Sequence, residues 1–576
     1  MEQCLRVPLH HASPQLDLAQ GGFRPQRSAM DQALCLHELV QRHRIRNNNR
    51  NPILVFLDIK SAYDTVDRNI IWRELETRAS DPLLGLLRSL FDDVSIQVLL
   101  SGATSDSFSP ATGVLQGSIL SPHLFSLYIS SLPNALRNLD SLPPLDDDFV
   151  PVRPLYRSVS GLWMNCLLYA DDVVLIADAA TMPHLLTIAE NHSYQLGYRW
   201  NPAKCVVINA AGMGNASPLQ LYNHPIPTAD SFAYLGVPFN NGTRIDPSLL
   251  IQRNSSSATA AMRTLETLGC NPRGFPRLLA IRLYQQFIRP KMEYGLAITH
   301  FNKDQLKRLE QAQDQCLRRI FGGHRTSSTK VFRHMANLPT MHDRVSILGA
   351  KFLIRAFSLP DDALLPIMKP LISNSNVHLW YKLTKNNTIW NMLPSPPHDV
   401  DKKVFKATVK KMRLERFQEM REKPNSGVHL SYLRPTLTLD PILFLPMTSR
   451  KRSRLMRWRM GWLPGRPIEC VCGNDHTSRR HLYTCLDVAT RLQVPMDAQP
   501  NPIDHLLNQL PTTRPRKQSV ISFWETRWPH LMDILSEIDQ RCHPHEDKPD
   551  AANLGAQFLQ WLRTDHPPPP TSSTDV

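Results

Sequence analysis

The stretch from Cys166 to Asp178, CLLYADDVVLIAD, sets two adjacent aspartates, Asp171 and Asp172, between two runs of strand-forming residues. Leu167, Leu168, Tyr169 and Ala170 precede the pair and Val173, Val174, Leu175 and Ile176 follow it, so each flank reads as a largely buried strand. The pattern predicts a tight hairpin with the carboxylates at its tip. Two anions in such a place repel each other and lose hydration, which is costly unless a cation neutralises them. A divalent metal is the natural counter-ion.

A second stretch answers the first. Ile53 to Arg68, ILVFLDIKSAYDTVDR, is a five-residue apolar run ending in Asp58, followed by residues that could start a helix. An aspartate at the carboxyl end of a buried strand sits where open sheets place their ligand sites. If that strand lies beside the hairpin, Asp58, Asp171 and Asp172 converge, and three carboxylates can hold two Mg²⁺ ions about 4 Å apart for nucleotidyl transfer. Between the two stretches lies GVLQGSILSPHLFSLYISSLP, Gly113 to Pro133, where Gln116 and two glycines precede a helix carrying Leu120, Leu124 and Leu127. Such a turn lets backbone approach a substrate closely. A lone Asp-Asp pair is more often a solvated hairpin tip; the ordered set of segments argues against that.

Charge agrees with this. Lys and Arg number 66 against 51 Asp and Glu, a net +15, which suits a polyanionic partner such as nucleic acid, although a merely soluble basic surface has the same sum. No apolar run approaches the roughly 18–20 residues that cross a bilayer, and the N-terminus has no signal-peptide core, so an intracellular protein without membrane partners is expected. The ten cysteines over 576 residues do not form a secreted disulfide framework, and most read as reduced thiols.

Up to about residue 240 the chain alternates strand-like and helical patterns, interrupted at Asn134 to Pro154 by a segment rich in proline and acid that reads as an inserted loop. From about 250 the period turns helical. Leu278, Ile281, Tyr284 and Ile288 fall at helical spacing before Pro290, and Leu306, Leu309, Gln313, Cys316 and Ile320 mark a second helix that Gly322-Gly323 ends. Phe405, Val409 and Met412 make a later apolar stripe, and the tail DHPPPPTSSTDV reads as disordered.

These segments together resemble the reverse transcriptases of non-LTR, LINE-like retrotransposons. QGGFRPQRSAMDQ, Gln20 to Gln32, is similar to a conserved finger segment; FLDIKSAYDTVDR to palm motif A; GVLQGSILSPHLFSLYI to motif B; YADD to motif C; NPAKCVVI, Asn201 to Ile208, to motif D; and AYLGVPF, Ala233 to Phe239, to the primer grip. Six motifs in family order over residues 20 to 240 make the match specific. The resemblance implies an α+β right-hand palm, an antiparallel sheet with helices, and partial fingers, since only 19 residues precede Gln20 where the family carries further finger strands and often an endonuclease. It implies Asp58, Asp171 and Asp172 as ligands of two Mg²⁺ and Tyr63 as a gate against a 2′-hydroxyl. Gln116, Gly117 and Tyr169 would line the nucleotide site, Lys204 would protonate pyrophosphate, and Tyr234, Leu235 and Gly236 would form the primer grip.

The implied layout is fingers and palm over 1–240, a thumb over 241–330, a helical linker over 331–448, a basic segment with a zinc knuckle over 449–490, and a C-terminal region over 491–576. Arg277, Arg282, Arg289 and Lys291 are expected on duplex phosphates. Cys470, Cys472, His481 and Cys485, spaced C-x-C-x8-H-x3-C, suit a tetrahedral zinc ion, with His476 as an alternative ligand. Cys542, His543 and His545 lack a fourth ligand nearby. The run SRKRSRLMRWR, Ser449 to Arg459, suits phosphate contact with stacking on Trp458 or, equally, nuclear entry.

The expected activity is RNA-directed DNA polymerisation from a DNA primer on an RNA template with dNTPs, acting in the nucleus after synthesis in the cytoplasm. A silent remnant that only binds nucleic acid is the alternative. An RNA-templated RNA polymerase is a third reading, against which Tyr63 speaks.

Overall fold

The structure, a computed structural model, describes residues 1–137, 164–209, 212, 217–422, 428–465, 468–473, 476–543 and 555–563. Most of the inserted loop from Asn134 to Pro154, the tail from Asp565 and His545 lie outside the described residues. The chain divides into two units: Met1–Leu250 with Tyr294–Phe301 and Leu348–Asp399, and Ile251–Glu293 with Asn302–Ile347 and Val400–Val576.

The first unit is built on a four-stranded antiparallel sheet. Strands β1 (Ile53–Leu57), β2 (Cys166–Tyr169), β3 (Asp172–Ala177) and β4 (Val206–Ile208) stand in the order β2-β3-β1-β4. All five side chains of β1 are buried, so both faces of the sheet are covered along this central strand, which suits its unbroken apolar run. Each such aliphatic or aromatic side chain contributes about 1.5–3 kcal/mol on burial. The register runs from Ile53 opposite Ala177 to Leu57 opposite Val173 on one side, and from Leu54 opposite Ile208 to Phe56 opposite Val206 on the other. This is the α+β class that the sequence predicts.

Helices α1 (Ala29–Arg46), α2 (Arg68–Glu76), α3 (Ser121–Tyr128) and α4 (Met182–Leu196) belong to the same unit, α1 packing on β2 and α4 on β3. A capping box starts α1: the Ser28 hydroxyl accepts from the Asp31 N–H, and the Asp31 carboxylate accepts from the Ser28 N–H. Gly197, at φ +90°, ends α4. On α1, Glu38 is fully buried; its carboxylate accepts from His378 Nδ1 at 2.6 Å and from the Trp380 N–H at 2.8 Å.

The second unit is helical. The helix predicted before Pro290 is present and runs on past it. Helix α5 (Arg277–Leu283) passes through a π-helical turn, Tyr284–Ile288, into α6 (Arg289–Glu293), and the Arg289 N–H reaches back to the Tyr284 carbonyl. The wider turn lies next to the proline, whose ring would crowd the preceding turn of an ordinary α-helix. Helix α7 (Lys303–Phe321) opens on an Asn302/Gln305 capping box and ends at Gly322, as the sequence predicts. Its buried Gln313 accepts a hydrogen bond from the Tyr284 hydroxyl at 3.0 Å. Helix α8 (Thr329–Met335) follows, and α9 (Lys402–Glu422) buries Phe405, Val409 and Met412 together with Phe417.

The expected phosphate role of the basic run is corrected, and that of the four cations in α5 and α6 is met only in part. The basic run is helix α10 (Ser449–Arg459), in which Arg454, Arg457 and Arg459 turn to buried carboxylates while Arg450 is exposed. Arg454 and Arg457 pair with buried Asp539, at 2.9 and 2.5 Å; Arg459 pairs with buried Asp504 at 2.9 Å, and Trp458, fully buried, donates to the same Asp504. Cations so placed hold buried aspartates, and breaking such a pair costs about 3–5 kcal/mol. Neither phosphate contact nor base stacking is open to them. In α5 and α6, Arg277 caps the carbonyls of Asn271 and Pro272, and Arg289 lies 3.6 Å from Glu293. Lys291 is exposed and Arg282 half-exposed.

Candidate active site

Asp58 directly follows β1, and Asp172 opens β3. Since Leu57 faces Val173 in the last ladder pair, Asp58 and Asp172 are the next residues along their two strands, and Asp171 sits beside them in the turn. The sheet therefore brings the three predicted carboxylates to one edge. The turn is two residues, Ala170 and Asp171, closed by the Tyr169–Asp172 pair. Ala170 has φ +59°, a left-handed conformation that costs a residue with a Cβ about 1 kcal/mol.

The segment around Gln20 holds that strained turn, a role its sequence did not announce. Gln20 Oε1 accepts from the Ala170 N–H at 3.0 Å and from the Gly22 N–H at 2.8 Å, while the Gly21 N–H donates to the Leu168 carbonyl at 2.8 Å. Gln32 Nε2 donates to the carbonyls of Leu168 and Ala19, at 3.0 and 2.7 Å. A Cβ on Gly22 would stand 2.2 Å from the Ala170 nitrogen, so only glycine fits. The expected finger segment is thus a clasp on the YADD hairpin. Only the double glycine beside a glutamine hinted at it.

Burial, then the charges of Asp171 and Asp58, pushes the Asp172 carboxyl up to about 6; burial and Asp58 also raise Asp171. Both are nonetheless open to solvent on one side. Lys204 Nζ lies 3.9 Å from Asp58 Oδ2, but at 70% exposure it neutralises little. The turn that carries Lys204 is tied to Asp58 through backbone: the Asn201 N–H donates to the Asp58 carbonyl at 2.8 Å, and the Asp58 N–H to Cys205 Sγ at 3.4 Å. Three hard carboxylate donors crowded at one edge suit Mg²⁺.

Tyr63 stacks on Phe125 of α3, with ring centroids 5.4 Å apart and planes 4° from parallel. Burial and the Asp171 charge push its phenol up to about 12. The turn after Asp58 is laced to the Gly113 turn: the Val114 N–H donates to the Tyr63 carbonyl and the Gly113 N–H to the Val66 carbonyl, both at 2.8 Å. Gln116 and Gly117 are exposed on this second turn, ahead of α3, and Gly117 takes φ +95°. Tyr169, at the hairpin, is half-buried, and burial raises its phenol.

The grip segment is a hairpin of β5 (Ser231–Tyr234) and β6 (Val237–Asn240), turning at Leu235 and Gly236 with φ +47° and +76°. Two successive positive φ values match the right-handed twist of a two-residue hairpin. Tyr234 is a core side chain, buried among Phe56 and Phe239, so of the three expected grip residues only Leu235 and Gly236 lie at the tip. The Tyr294 hydroxyl fixes that tip by donating to the Leu235 carbonyl at 2.8 Å.

In the second unit, Cys470, Cys472, His481 and Cys485 bring one ligand atom each to within 4.8 Å of one another. Among the described residues this is the one such gathered group; the three aspartates share an edge without closing into a shell of that kind. His481, not His476, is the histidine that joins it. It stands in the first turn of helix α11 (Arg479–Cys485), one turn before Cys485. Thiolates at about 2.3 Å from a tetrahedral zinc stand about 3.8 Å apart, and Cys470 Sγ lies 3.8 Å from Cys485 Sγ. Arg541 of helix α12 (Gln518–Cys542) donates to Cys485 Sγ at 3.5 Å. His543, 3.2 Å from Asp539, is engaged elsewhere.

A family model described as reverse transcriptase (RNA-dependent DNA polymerase) matches residues 2–239. Among curated relatives, the RNA-directed DNA polymerase from mobile element jockey of Drosophila melanogaster is 22% identical over 58% of this chain and 35% of its own length. The retrovirus-related Pol polyprotein from type-1 retrotransposable element R2 of Popillia japonica is 24% identical over 50% of this chain and 45% of its own. The chain thus spans less than half the length of these relatives. A telomerase from Candida tropicalis, solved with a fragment of telomeric RNA, superposes with TM-score 0.33 and 13% identity over 70% of this chain and 56% of that one, a likeness too loose to bear on function.

Proposed function

We propose that the chain, whose residues 2–239 match the reverse transcriptase family model and which is similar to polymerases of non-LTR retrotransposons, is an RNA-directed DNA polymerase extending a DNA primer along an RNA template. The observation that carries the reading is the meeting of Asp58, Asp171 and Asp172 at one sheet edge, with Lys204 and Tyr63 on turns bonded into it. Asp58, Asp171 and Asp172 would hold two Mg²⁺, which when bound supply the charge that activates the primer hydroxyl and steadies the leaving oxygen.

The chain's own groups do the rest. Lys204 meets the pyrophosphate as it leaves, a cation next to developing negative charge. Tyr63, braced flat against Phe125, occupies the space a 2′-hydroxyl would need, which selects dNTPs. Gln116 and Gly117 present backbone and side chain to the nucleotide from the facing turn, Tyr169 flanks it, and the Leu235-Gly236 tip bears on the primer strand. The first unit holds the expected fingers and palm but also takes in Tyr294–Phe301 and Leu348–Asp399 from the expected thumb and linker, so those boundaries do not follow the compact units; the second holds the rest, with Zn²⁺ on Cys470, Cys472, His481 and Cys485 as a structural tie. A nicked chromosomal 3′ end as primer and the nucleus as place of action follow from the same kinship.

The test is primer extension by the folded chain on an RNA template with Mg²⁺ and dNTPs. Extension that Asp171→Asn abolishes supports the reading. Extension that survives this substitution, or none by protein that binds RNA, overturns it and leaves a binding protein.

A further inference from the structure

Helices α7, α8 and α9 of the second unit enclose a cleft of about 540 Å³ that the palm chemistry does not use. The volume falls in the ~300–1,000 Å³ range of small-ligand clefts. Its walls are mainly apolar: Leu306 from α7, Leu338 and Pro339 from the following turn, Phe417 and Met420 from α9. The Phe417 ring lies against His334 of α8, centroids 4.6 Å apart and planes 29° from parallel, so one wall is a double layer of flat rings.

Its charge is one-sided. Six Lys and Arg side chains line the cleft against two carboxylates, and both carboxylates are already spent. Glu310 is paired with Arg333 and also accepts from the Met341 N–H at 2.7 Å; Asp343 is paired with Arg416. Arg413 bonds the Asn337 carbonyl and side chain, both at 3.1 Å. Lys303, Lys307 and Lys330 remain, all exposed and without an ion-pair partner among the described residues. Lys303 and Lys307 stand one turn apart on α7, and Lys330 near the start of α8.

A ligand that satisfies an apolar, ring-walled interior and a rim of unpaired cations must carry a flat hydrophobic group with anions beside it. A nucleotide has both. A duplex cannot offer it, because its bases face inward, whereas an unpaired base can leave the strand and stack on protein. We infer that this cleft holds one unpaired nucleotide of a single strand, its base against the apolar wall and its flanking phosphates on Lys303, Lys307 and Lys330. The site is independent of the aspartate edge, so Asp171→Asn must leave it intact.

The experiment follows binding of a fluorescein-labelled 12-nucleotide RNA, its DNA equivalent and a blunt duplex to the full chain at several salt concentrations. In the Lys303→Ala, Lys307→Ala, Lys330→Ala triple variant, single-strand affinity should fall about tenfold or more, and the slope of log affinity against log salt should shrink by about 2, with duplex binding little changed. A strand carrying 5-iodouridine should photocrosslink to peptides within 303–342 or 413–437, and Met420→Asp, which places an anion in the cleft, should abolish that crosslink. Unchanged affinity and slope in the triple variant overturn the inference. So does an equal loss on duplex, which would mean a general basic surface, and so does competition by free AMP at the concentrations of the strand, which would make this a mononucleotide site.

Discussion

Gln20 and Ala170, 150 residues apart in the chain, are joined by a 3.0 Å hydrogen bond from the Ala170 N–H to the Gln20 side chain. Through it a segment outside the catalytic motifs sets the backbone angle of the residue before Asp171. Gln20→Ala should remove a buried acceptor and cost about 1–3 kcal/mol. Polymerase kcat should drop with KM for dNTP nearly unchanged, since the lost bond positions a carboxylate and touches no nucleotide. Urea unfolding and steady-state extension check this together; a pure stability loss with normal kcat per folded molecule would refute the positioning role.

The aspartate edge should show itself in pH dependence without metal. Asp172 holds its proton up to about 6 in the folded protein, above the ordinary carboxylate near 3.9. Between roughly pH 4 and 6 the folded state therefore binds more protons than the unfolded one, and stability should decline as pH rises through that window. Thermal unfolding in EDTA should follow this trend. Asp172→Asn should flatten it and raise stability at pH 7 while abolishing extension; a steeper trend in the variant would contradict the electrostatic account.

Tyr63 should discriminate by shape alone. Its ring is braced by Phe125, so Tyr63→Phe should keep selectivity, while Tyr63→Ala should raise the rNTP-to-dNTP ratio of kcat/KM by about 10- to 200-fold, the worth of one pocket contact. An unchanged ratio in Tyr63→Ala would remove the gate assignment.

Arg541 lies 3.5 Å from Cys485 Sγ and 3.9 Å from Cys470 Sγ. Partners of this kind, behind the ligands, change metal affinity by about 10- to 100-fold. Arg541→Ala should therefore lose zinc to a competing chelator at lower chelator concentration than the parent, with Cys485→Ser losing it outright. Zinc content by elemental analysis is the readout, and a parent protein without zinc would refute the site.

How much could be read beforehand follows from range. The hairpin, the convergence of Asp58 with the Asp171-Asp172 pair and the cysteine cluster are local patterns, or patterns joined by one sheet, and period-2 and spacing rules reach them. Missed were relationships set by distant partners. The run between Ser449 and Arg459 reads as a basic surface because Asp504 and Asp539, which draw three of its six cations inward, lie about 45 to 85 residues away. The motif points Tyr234 at the primer, whereas its ring is buried beside Phe56. The apolar spacing before Pro290 predicts a helix but not its π-turn, which leaves no signature in single-residue propensities.

The first unit closes around Glu38 with residues that lie 340 and 342 positions later, His378 and Trp380. A ribosome adding 5–20 residues per second needs about 20–70 s to travel that far. For that interval the nascent first unit carries a carboxylate without the partners that will bury it, and a chaperone has a defined period in which to act. A fragment cut after residue 250, though it contains Asp58, Asp171 and Asp172, never leaves that state.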